Sequence, residues 1–209
     1  MAVKRRIITL ADVPECAEGG EFRVPYDAVL TPLARDEAAR RGWRVREVPE
    51  GEAAAPPNPA RTVALGADHG GFAMKQYLKP LLERMGLAVK DLGVYEEKTA
   101  DYPDQAAAVA RAVAGGEAGF GIIIDGAGIG SCMVANKIAG VRAALCYDKA
   151  TARNSREHNN ANVLTLGGRL IPFELAAEIA AVWLNTSFAG GRHQKRVEKI
   201  DALDKKAGG

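Results

Sequence analysis

Short apolar runs alternate with amphipathic stretches along most of the chain. Five of these runs predict buried strands, because each is short and is followed by glycine or polar residues. They lie at residues 62–66, 88–93, 120–124, 141–147 and 163–167. The stretches between and after them predict helices at about residues 71–85, 103–114, 131–138, 149–158, 172–185 and 192–206. This alternation predicts an α/β fold, with an open, mostly parallel five-stranded sheet covered on both faces.

The amino-acid composition differs in the segment that precedes this alternation. Residues 50–61, EGEAAAPPNPAR, are rich in proline and alanine and predict a semi-rigid linker. The linker divides an N-terminal extension, residues 1–49, from a main domain, residues 62–209.

The N-terminal extension contains signals for one short helix. Thr31 can cap it, Pro32 suits its first turn, and Gly42 can end it. Strands are predicted around it at residues 6–10, 21–24 and 43–48. The apolar face of the helix is narrow, so we expect the extension to dock on the main domain or on another protein.

Composition narrows the classes of function. Of the 209 residues, 47% are apolar and 26% are charged, which is typical of a globular protein. The net charge of +2 gives no reason to expect nucleic acid or an anionic membrane as a partner. No apolar run reaches the roughly 18 residues that span a bilayer, and the N-terminus lacks the pattern of a secretory signal. We therefore expect a cytoplasmic protein.

Cysteines and histidines are few. The odd, sparse cysteine count predicts free thiols in a reducing compartment rather than a disulfide framework. No pair of histidines has the spacing of metal ligands, so we expect no metal site. The residues in question are Cys16, Cys132, Cys146, His69, His158 and His193.

Candidate catalytic and binding residues lie where the predicted strands end, which is where ligands bind in open α/β sheets. The segment 66–71, GADHGG, places Asp68 and His69 before two glycines that let a ligand approach the backbone. The alternative is that Asp68 only caps the next helix and His69 is an exposed loop residue.

A glycine-rich loop, DGAGIGS at residues 125–131, follows the third predicted strand of the sheet. It lacks the spacing of a dinucleotide site and the Gly-Lys-Ser/Thr of a Walker motif. Its successive amides can form a nest for an enediolate or a carboxylate. Asp125 begins the loop, and the alternative is that it only caps the helix or holds the turn.

Two further helix ends carry a histidine or arginines. His158 lies at the end of a predicted helix, where it can also simply complement the helix dipole. Arg192 and Arg196 share one helical face and could bind a phosphate, although a solvated basic face is the alternative. Together, these features indicate a small anionic substrate and acid–base chemistry.

Five motifs in this order resemble the ribose-5-phosphate isomerase B family, whose relatives include the galactose-6-phosphate isomerases. They are segment 66–71, Asp101-Tyr102-Pro103, the loop 126–137 that ends in Ala135-Asn136-Lys137, Ser155-Arg156-Glu157-His158-Asn159, and Gly191-Arg192-His193-Gln194 with Arg196. The resemblance covers residues 61–206. It implies a Rossmann-like three-layer α/β/α sandwich that works as a homodimer or homotetramer.

The resemblance also implies an activity. Members interconvert aldose and ketose phosphates, here ribose 5-phosphate and ribulose 5-phosphate of the pentose phosphate pathway, without a metal or an organic cofactor. His158 would open the sugar ring, and Asp68 would bind a hydroxyl. The amides of residues 126–130 would stabilise the enediolate. The expected phosphate-binding residues are His69, Arg169, Arg192 and Arg196. The other expected substrate contacts are Tyr102, Gly126, Gly128, Gly130, Ser131 and Asn159. The site would lie between two subunits, with the last helix serving the neighbour.

The glycine-rich loop departs from the family pattern. The family's base is a cysteine where this chain has Asp125, or a glutamate where it has Ser131, and Ala127 replaces a Ser or Thr. Our hypothesis is that Asp125 is the base, because a buried carboxylate can abstract a proton next to a carbonyl. The alternatives are an isomerase of another pentose or hexose phosphate, and a sugar-phosphate-binding or scaffold protein with a degenerate site.

The extension carries one resemblance of its own. Residues 30–38, LTPLARDEA, resemble a stretch in proteins of bacterial microcompartment operons. This implies that residues 1–50 dock the enzyme to shell or cargo proteins inside a microcompartment. An ordinary helix start is the alternative.

Overall fold

The structure is a computed structural model that describes residues 7–8, 21–26, 28–40, 42–48 and 59–204. The chain divides into two compact units, Met1–Asn58 and Pro59–Gly209. Cys16 and most of the predicted linker, up to residue 58, lie outside the described residues.

The first unit contains two small parallel ladders and one helix. Strand β1 (Ile7–Ile8) pairs with β3 (Val29–Leu30), and β2 (Glu21–Pro25) pairs with β4 (Arg44–Val48). Helix α1 (Pro32–Arg40) begins where the sequence predicts, since the N–H of Ala34 donates to the Thr31 hydroxyl at 3.3 Å. Its buried core is small and consists of Val24, Ala34 and Ala38, flanked by Ala28, Leu30 and Trp43.

The second unit is built on one five-stranded sheet. Its strands are β5 (Thr62–Ala67), β6 (Ala88–Asp91), β7 (Phe120–Asp125), β8 (Ala143–Leu145) and β9 (Val163–Gly167). Their order across the sheet is β6-β5-β7-β9-β8, and every neighbouring pair is parallel. Both faces of such a sheet must be covered, which explains the nearly continuous apolar runs in the sequence.

Helices cover both faces of this sheet. They are α2 (Phe72–Arg84), α3 (Tyr102–Ala114), α4 (Ile129–Ala135), α5 (Lys149–Asn159), α6 (Phe173–Asn185) and α7 (Gln194–Asp204). On one face, Leu65 and Ile122 pack with Trp183 of α6. On the other face, Ile123 packs with Val109 of α3, because successive strand residues point to opposite sides. The predicted three-layer α/β/α sandwich is therefore confirmed.

Strand β8 is shorter than the sequence predicts, with Ala143–Leu145 in place of residues 141–147. At its start, the N–H of Arg142 donates to the Asn162 side chain, and the N–H of Ala143 donates to the Asn136 side chain. These side-chain oxygens accept backbone N–H groups that would hydrogen-bond to a neighbouring strand if β8 were longer. Helix α4 is also shifted, to Ile129–Ala135 from the predicted residues 131–138.

A buried ion pair fastens α2 to the end of β6. The ammonium of Lys75, which is fully buried, donates to the Asp91 carboxylate at 2.6 Å, and Lys79 lies 3.4 Å from the other oxygen. The N–H of Gly93 also donates to this carboxylate. Burial raises the pKa of Asp91, but the hydrogen bonds from Lys75 and Gly93 and the charge of Lys75 outweigh it, so that its pKa is lowered.

We expect Asp91→Asn to lower the free energy of unfolding by about 3 kcal/mol at pH 7, because it leaves the Lys75 ammonium buried without an anionic partner. A carboxylate with a lowered folded pKa stabilises the protein above its unfolded pKa of about 3.9, and this stabilisation is lost as the pH falls further. Urea unfolding should therefore show a gap between the two proteins that narrows below about pH 4.

The matched control is Glu117→Gln, which removes an exposed carboxylate paired with Lys90 and should change stability little. A gap between wild type and Asp91→Asn that stays constant from pH 7 to pH 3 would contradict this account of the ion pair.

Candidate active site

Three strands bring several of the predicted site residues of the second unit to one edge of the sheet. Strands β5, β7 and β9 are neighbours and parallel, so they all end at the same edge, which we call the carboxyl edge. Asp68 follows β5, Asp125 ends β7, and Arg169 follows β9. This is the edge at which ligands bind in open α/β sheets.

The loop after β5 contacts β7 very closely. The N–H of Asp68 donates to the Ile124 carbonyl at 3.1 Å. A Cβ atom on Gly71 would lie only 2.1 Å from that same carbonyl oxygen, so only glycine fits there. A Cβ atom on Gly70 would lie 3.2 Å from the backbone of Gly126. The glycines of the segment 66–71 therefore let two site loops touch.

Asp68 and His69 both keep a polar atom without a partner. Asp68 is buried, and its Oδ1 accepts the N–H of Gly71 at 2.9 Å, so it holds the turn before α2. Its Oδ2 has no hydrogen bond among the described residues, which leaves it for a ligand. The Nδ1 atom of His69 is likewise buried and lacks a hydrogen-bond partner within the described part of the chain.

Asp125 is bound by the backbone of its own loop. The carboxylate is 5% exposed. Its Oδ1 accepts the N–H groups of Ala127, at 2.7 Å, and of Gly128, and its Oδ2 accepts the N–H of Ser131 at 2.9 Å. Asp125 therefore holds the turn, as one of the two sequence interpretations states. An ionised carboxylate has about four acceptor positions, so Oδ2 keeps one for another partner.

The glycine-rich loop retains three amides for a ligand. Gly128 has a φ of 78°, a left-handed conformation that suits glycine and turns the chain into α4. The N–H groups of Gly126, Ile129 and Gly130 make no hydrogen bond within the described residues. The Ser131 side chain is fully buried, and its hydroxyl has no partner in the same part of the chain.

Three longer side chains surround this loop. Tyr102 begins α3 and packs on Gly130, where a Cβ atom would come within 2.5 Å of the ring. The Arg169 side chain lies close to Gly126, since a Cβ atom on Gly126 would be 3.7 Å from Cδ of Arg169. The Tyr147 hydroxyl donates to the Ala127 carbonyl at 2.7 Å. Sequence reasoning missed Tyr147, whose only signal is that it is an aromatic residue at the end of a predicted strand.

The remaining predicted site residues lie at the opposite edge, which we call the amino edge. Helix α5 returns from the carboxyl edge and ends with His158 and Asn159, shortly before β9 begins at Val163. The His158 ring stacks on His193, with ring centroids 4.2 Å apart, which places the start of α7 at the same edge. Arg192 and Arg196 therefore lie there too, and both act on the pKa of His193.

One copy of the chain does not assemble the whole predicted site. Nine residues lie at the carboxyl edge, namely Asp68, His69, Tyr102, Asp125, Gly126, Gly128, Gly130, Ser131 and Arg169. Four lie at the amino edge, namely His158, Asn159, Arg192 and Arg196. Strand β9, at about 3.3 Å per residue, separates the two edges by roughly 16 Å.

A buried arginine organises the amino edge. Arg156 donates from Nε to the Thr186 carbonyl and from Nη1 to the Asn160 side chain, each at 3.2 Å. Burial and the nearby charge of Arg142 lower the pKa of Arg156. Its guanidinium also lies over the rings of Phe120 and Trp183. Arg156 thus joins the end of α5 to the segment after α6, a role that its place in a motif could not reveal.

Other structural observations concern metals, thiols and membranes. Among the described residues, no group of three or more His, Cys, Asp or Glu side chains could hold a metal ion. Cys132 and Cys146 are free thiols. Within the same residues, none of the helices is long and apolar enough to cross a bilayer.

Comparisons with known proteins agree on one family. The family model described as Ribose/Galactose Isomerase matches residues 63–200. Ribose-5-phosphate isomerase B of Escherichia coli is 44% identical over 146 residues, which are 70% of this chain and 98% of that protein. D-erythrulose-4-phosphate isomerase of Pectobacterium atrosepticum is 42% identical over 141 residues, which are 66% of this chain and 92% of that protein.

A solved structure shares the fold. Ribose-5-phosphate isomerase B of Clostridium thermocellum is 44% identical and superimposes with a TM-score of 0.69, over 70% of this chain and 99% of that one. These matches confirm the resemblance that the sequence motifs indicate. The chain belongs to the ribose/galactose isomerase family.

Proposed function

We propose that this chain is an aldose–ketose isomerase that interconverts ribose 5-phosphate and ribulose 5-phosphate. The observation that carries the proposal is the Asp125 carboxylate, which is buried at the carboxyl edge beside the unpartnered amides of the glycine-rich loop. Membership of the family supports the same reaction. The relatives named above act on ribose 5-phosphate and on D-erythrulose 4-phosphate, as their names state.

The proposed chemistry moves one proton between two carbons. Asp125 Oδ2 takes the proton from C2 of the open-chain aldose, and the electron pair of the C–H bond forms an enediolate. The amides of Gly126, Ile129 and Gly130 stabilise the negative oxygen. A proton then passes from the C2 hydroxyl to O1, and Asp125 returns its own proton to C1, which gives the ketose. In this proposal, Asp68 Oδ2 binds a sugar hydroxyl, and Tyr102 and Ser131 are further substrate contacts.

The proposed site is completed by a second copy of the chain. The amino edge carries the residues proposed for ring opening (His158), for substrate contact (Asn159) and for phosphate binding (Arg192 and Arg196). A second copy would have to supply these residues to the site at the carboxyl edge. His69 and Arg169 would meet the phosphate from the carboxyl edge. The carboxyl edge also exposes large apolar side chains, Ile129, Met133 and Leu170, which suit burial in a homodimer or homotetramer.

Two alternatives follow from particular observations. The hydrogen bonds of Asp125 to three backbone amides also suit a structural role, as in a sugar-phosphate-binding or scaffold protein with a degenerate site. The relative named D-erythrulose-4-phosphate isomerase makes another sugar phosphate the second candidate substrate.

We expect the wild-type protein to convert ribose 5-phosphate to ribulose 5-phosphate, and Asp125→Asn to lower kcat about 10³-fold with little change in KM, since a general base contributes about this much. Asparagine has the same size, and its Oδ1 can still accept the N–H groups of Ala127 and Gly128. Its side-chain NH2 group can neither accept the Ser131 N–H nor take the proton. A coupled or absorbance assay of ketose formation measures both constants.

The control is Glu83→Gln, which removes an exposed carboxylate near the end of α2 and should leave kcat unchanged. Full activity of Asp125→Asn would show that Asp125 is not the base. No turnover by the wild-type protein on pentose, tetrose or hexose phosphates would favour the binding or scaffold alternative.

A mixed oligomer tests whether two copies share one site. Asp125→Asn and His158→Asn should each be nearly inactive alone. Co-expressed chains that pair at random should recover about a quarter of wild-type activity, because half of the dimers are mixed and each holds one intact site of two. The measurement is the specific activity of the whole co-expressed population, purified through one tag that both variants carry. Activity no higher than the average of the two pure variants would contradict the shared site.

We also propose that residues 1–49 form a docking segment, residues 50–61 a linker and residues 62–209 the isomerase domain. The enzyme would act in the cytoplasm, docked through residues 1–50 to shell or cargo proteins of a microcompartment. The resemblance of residues 30–38 supports this proposal, as does the exposure of the apolar residues Tyr26, Val29 and Leu33.

Removal of residues 1–58 should leave kcat/KM for ribose 5-phosphate within about twofold of the full chain, because the second unit has its own core. In cells that contain a microcompartment, the same deletion should release the enzyme from the shell fraction. Loss of the folded second unit on deletion would instead make the first unit structural.

A further inference from the structure

Two histidine rings lie face to face at the amino edge. The rings of His158 and His193 are 4.2 Å apart between centroids and 3° from parallel. His193 is 7% exposed and ends the 3-10 turn Gly191–His193, just before α7. The N–H of Ala189 donates to the Glu157 carbonyl at 2.9 Å, which fixes the approach to this turn on the last turn of α5. The stack therefore joins two segments that are far apart in sequence.

Hydrogen bonds assign the tautomer of each ring. Arg192 donates from Nε to Nε2 of His193 at 3.2 Å, so that atom carries no proton and a neutral His193 is protonated on Nδ1. The side-chain amide of Asn154 lies 2.9 Å from Nδ1 of His158 and donates to it. With the Asn154 amide in this orientation, a neutral His158 carries its proton on Nε2, for which the described residues supply no hydrogen-bond partner.

The surroundings of His193 keep its ring neutral. Burial lowers its pKa most, and the charges of His158, Arg192 and Arg196 lower it further, against a smaller opposing effect of Glu157. These are the titratable and charged groups that face it from α5, from its own turn and from α7. A neutral ring can accept the Arg192 hydrogen bond and stack without charge repulsion on His158.

We propose that His193 is a positioning residue of the isomerase, whose neutral ring orients two groups at once. Its face fixes the plane of the His158 imidazole, and its Nε2 atom fixes the Arg192 guanidinium. The inference rests on the proposed function, which gives His158 the ring opening and Arg192 the phosphate. The inference adds that the His158 imidazole and the Arg192 guanidinium enter the site of the other copy as one rigid unit.

Two substitutions separate the two contacts of His193. His193→Phe keeps a flat ring for stacking but removes the acceptor for Arg192. His193→Gln keeps an acceptor near the position of Nε2 but removes the ring. The control is Lys199→Gln, which removes an exposed charge from the same helix α7. Circular dichroism and oligomer size verify that each purified full-length variant is folded.

We expect His193→Phe to raise KM for ribose 5-phosphate about tenfold with kcat nearly unchanged, because a misplaced guanidinium weakens binding of the phosphate. His193→Gln should lower kcat about tenfold with KM nearly unchanged, because a misplaced imidazole slows proton transfer. A purely structural role would move both constants together in both variants. Such a common change, or no change in either variant, would overturn the proposal.

A second readout does not depend on turnover. The chain has three histidines, so its imidazole NMR signals are few. The stacked ring shifts the His158 signals upfield, and His193→Gln should remove this shift while His193→Phe keeps it. Calorimetric titration with inorganic phosphate should show about tenfold weaker binding for His193→Phe and no change for His193→Gln.

The two readouts keep the proposals apart. A wild-type protein that fails to isomerise ribose 5-phosphate overturns the proposed function, while the NMR and phosphate titrations still decide the role of His193. Either variant alone can overturn the proposal, so the test still decides it if one of the two variants fails to fold. Unchanged His158 signals in His193→Gln, or unchanged phosphate affinity in His193→Phe, would overturn the positioning role.

Discussion

The parallel direction of the five strands is the constraint on which the rest of the second unit depends. It forces each helix to return from the carboxyl edge to the amino edge before the next strand begins. Asp68, Asp125 and Arg169 therefore gather at one end of the sheet, while His158 must lie at the other. No rotamer change can move a side chain across roughly 16 Å of strand, so the division of the site is a property of the fold rather than of any residue.

Much of this arrangement could be predicted from the sequence, for physical reasons. Buried parallel strands must be apolar on both faces, so β5, β7 and β9 are evident as apolar runs. Ligands meet the carboxyl ends of such strands, and this rule points to Asp68 and Asp125 because both stand where an apolar run ends. The stack of His158 on His193 could not be predicted in this way, because it joins α5 to a turn beyond α6 and depends on side-chain rotamers.

Asp125 stands where the family pattern has a cysteine, and its hydrogen bonds show how a carboxylate is accommodated at this position. A thiol at this position could not accept three backbone N–H groups, whereas a carboxylate does so and keeps one acceptor position on Oδ2. The bonds to Ala127 and Gly128 remove two amides that the glycine-rich loop would otherwise offer to an anion. In the proposed reaction, the enediolate must then rely on the amides of Gly126, Ile129 and Gly130, so the proposed base would also shape the proposed anion hole.

The proposed division of the site also bears on which sugar phosphate the enzyme accepts. In the proposed site, proton transfer occurs at the carboxyl edge of one copy, where His69 and Arg169 also meet the phosphate. Arg192 and Arg196 of the second copy would bind the same phosphate from the amino edge. The distance between the reacting carbons and the phosphate would then depend in part on how two copies pack against each other. The buried Arg156 and the imidazole stack make the partner's contribution rigid, so this distance cannot adjust freely to a shorter or longer sugar. Under this proposal, selectivity for chain length would depend partly on the interface between two copies, and side chains far from the reacting carbons could influence it.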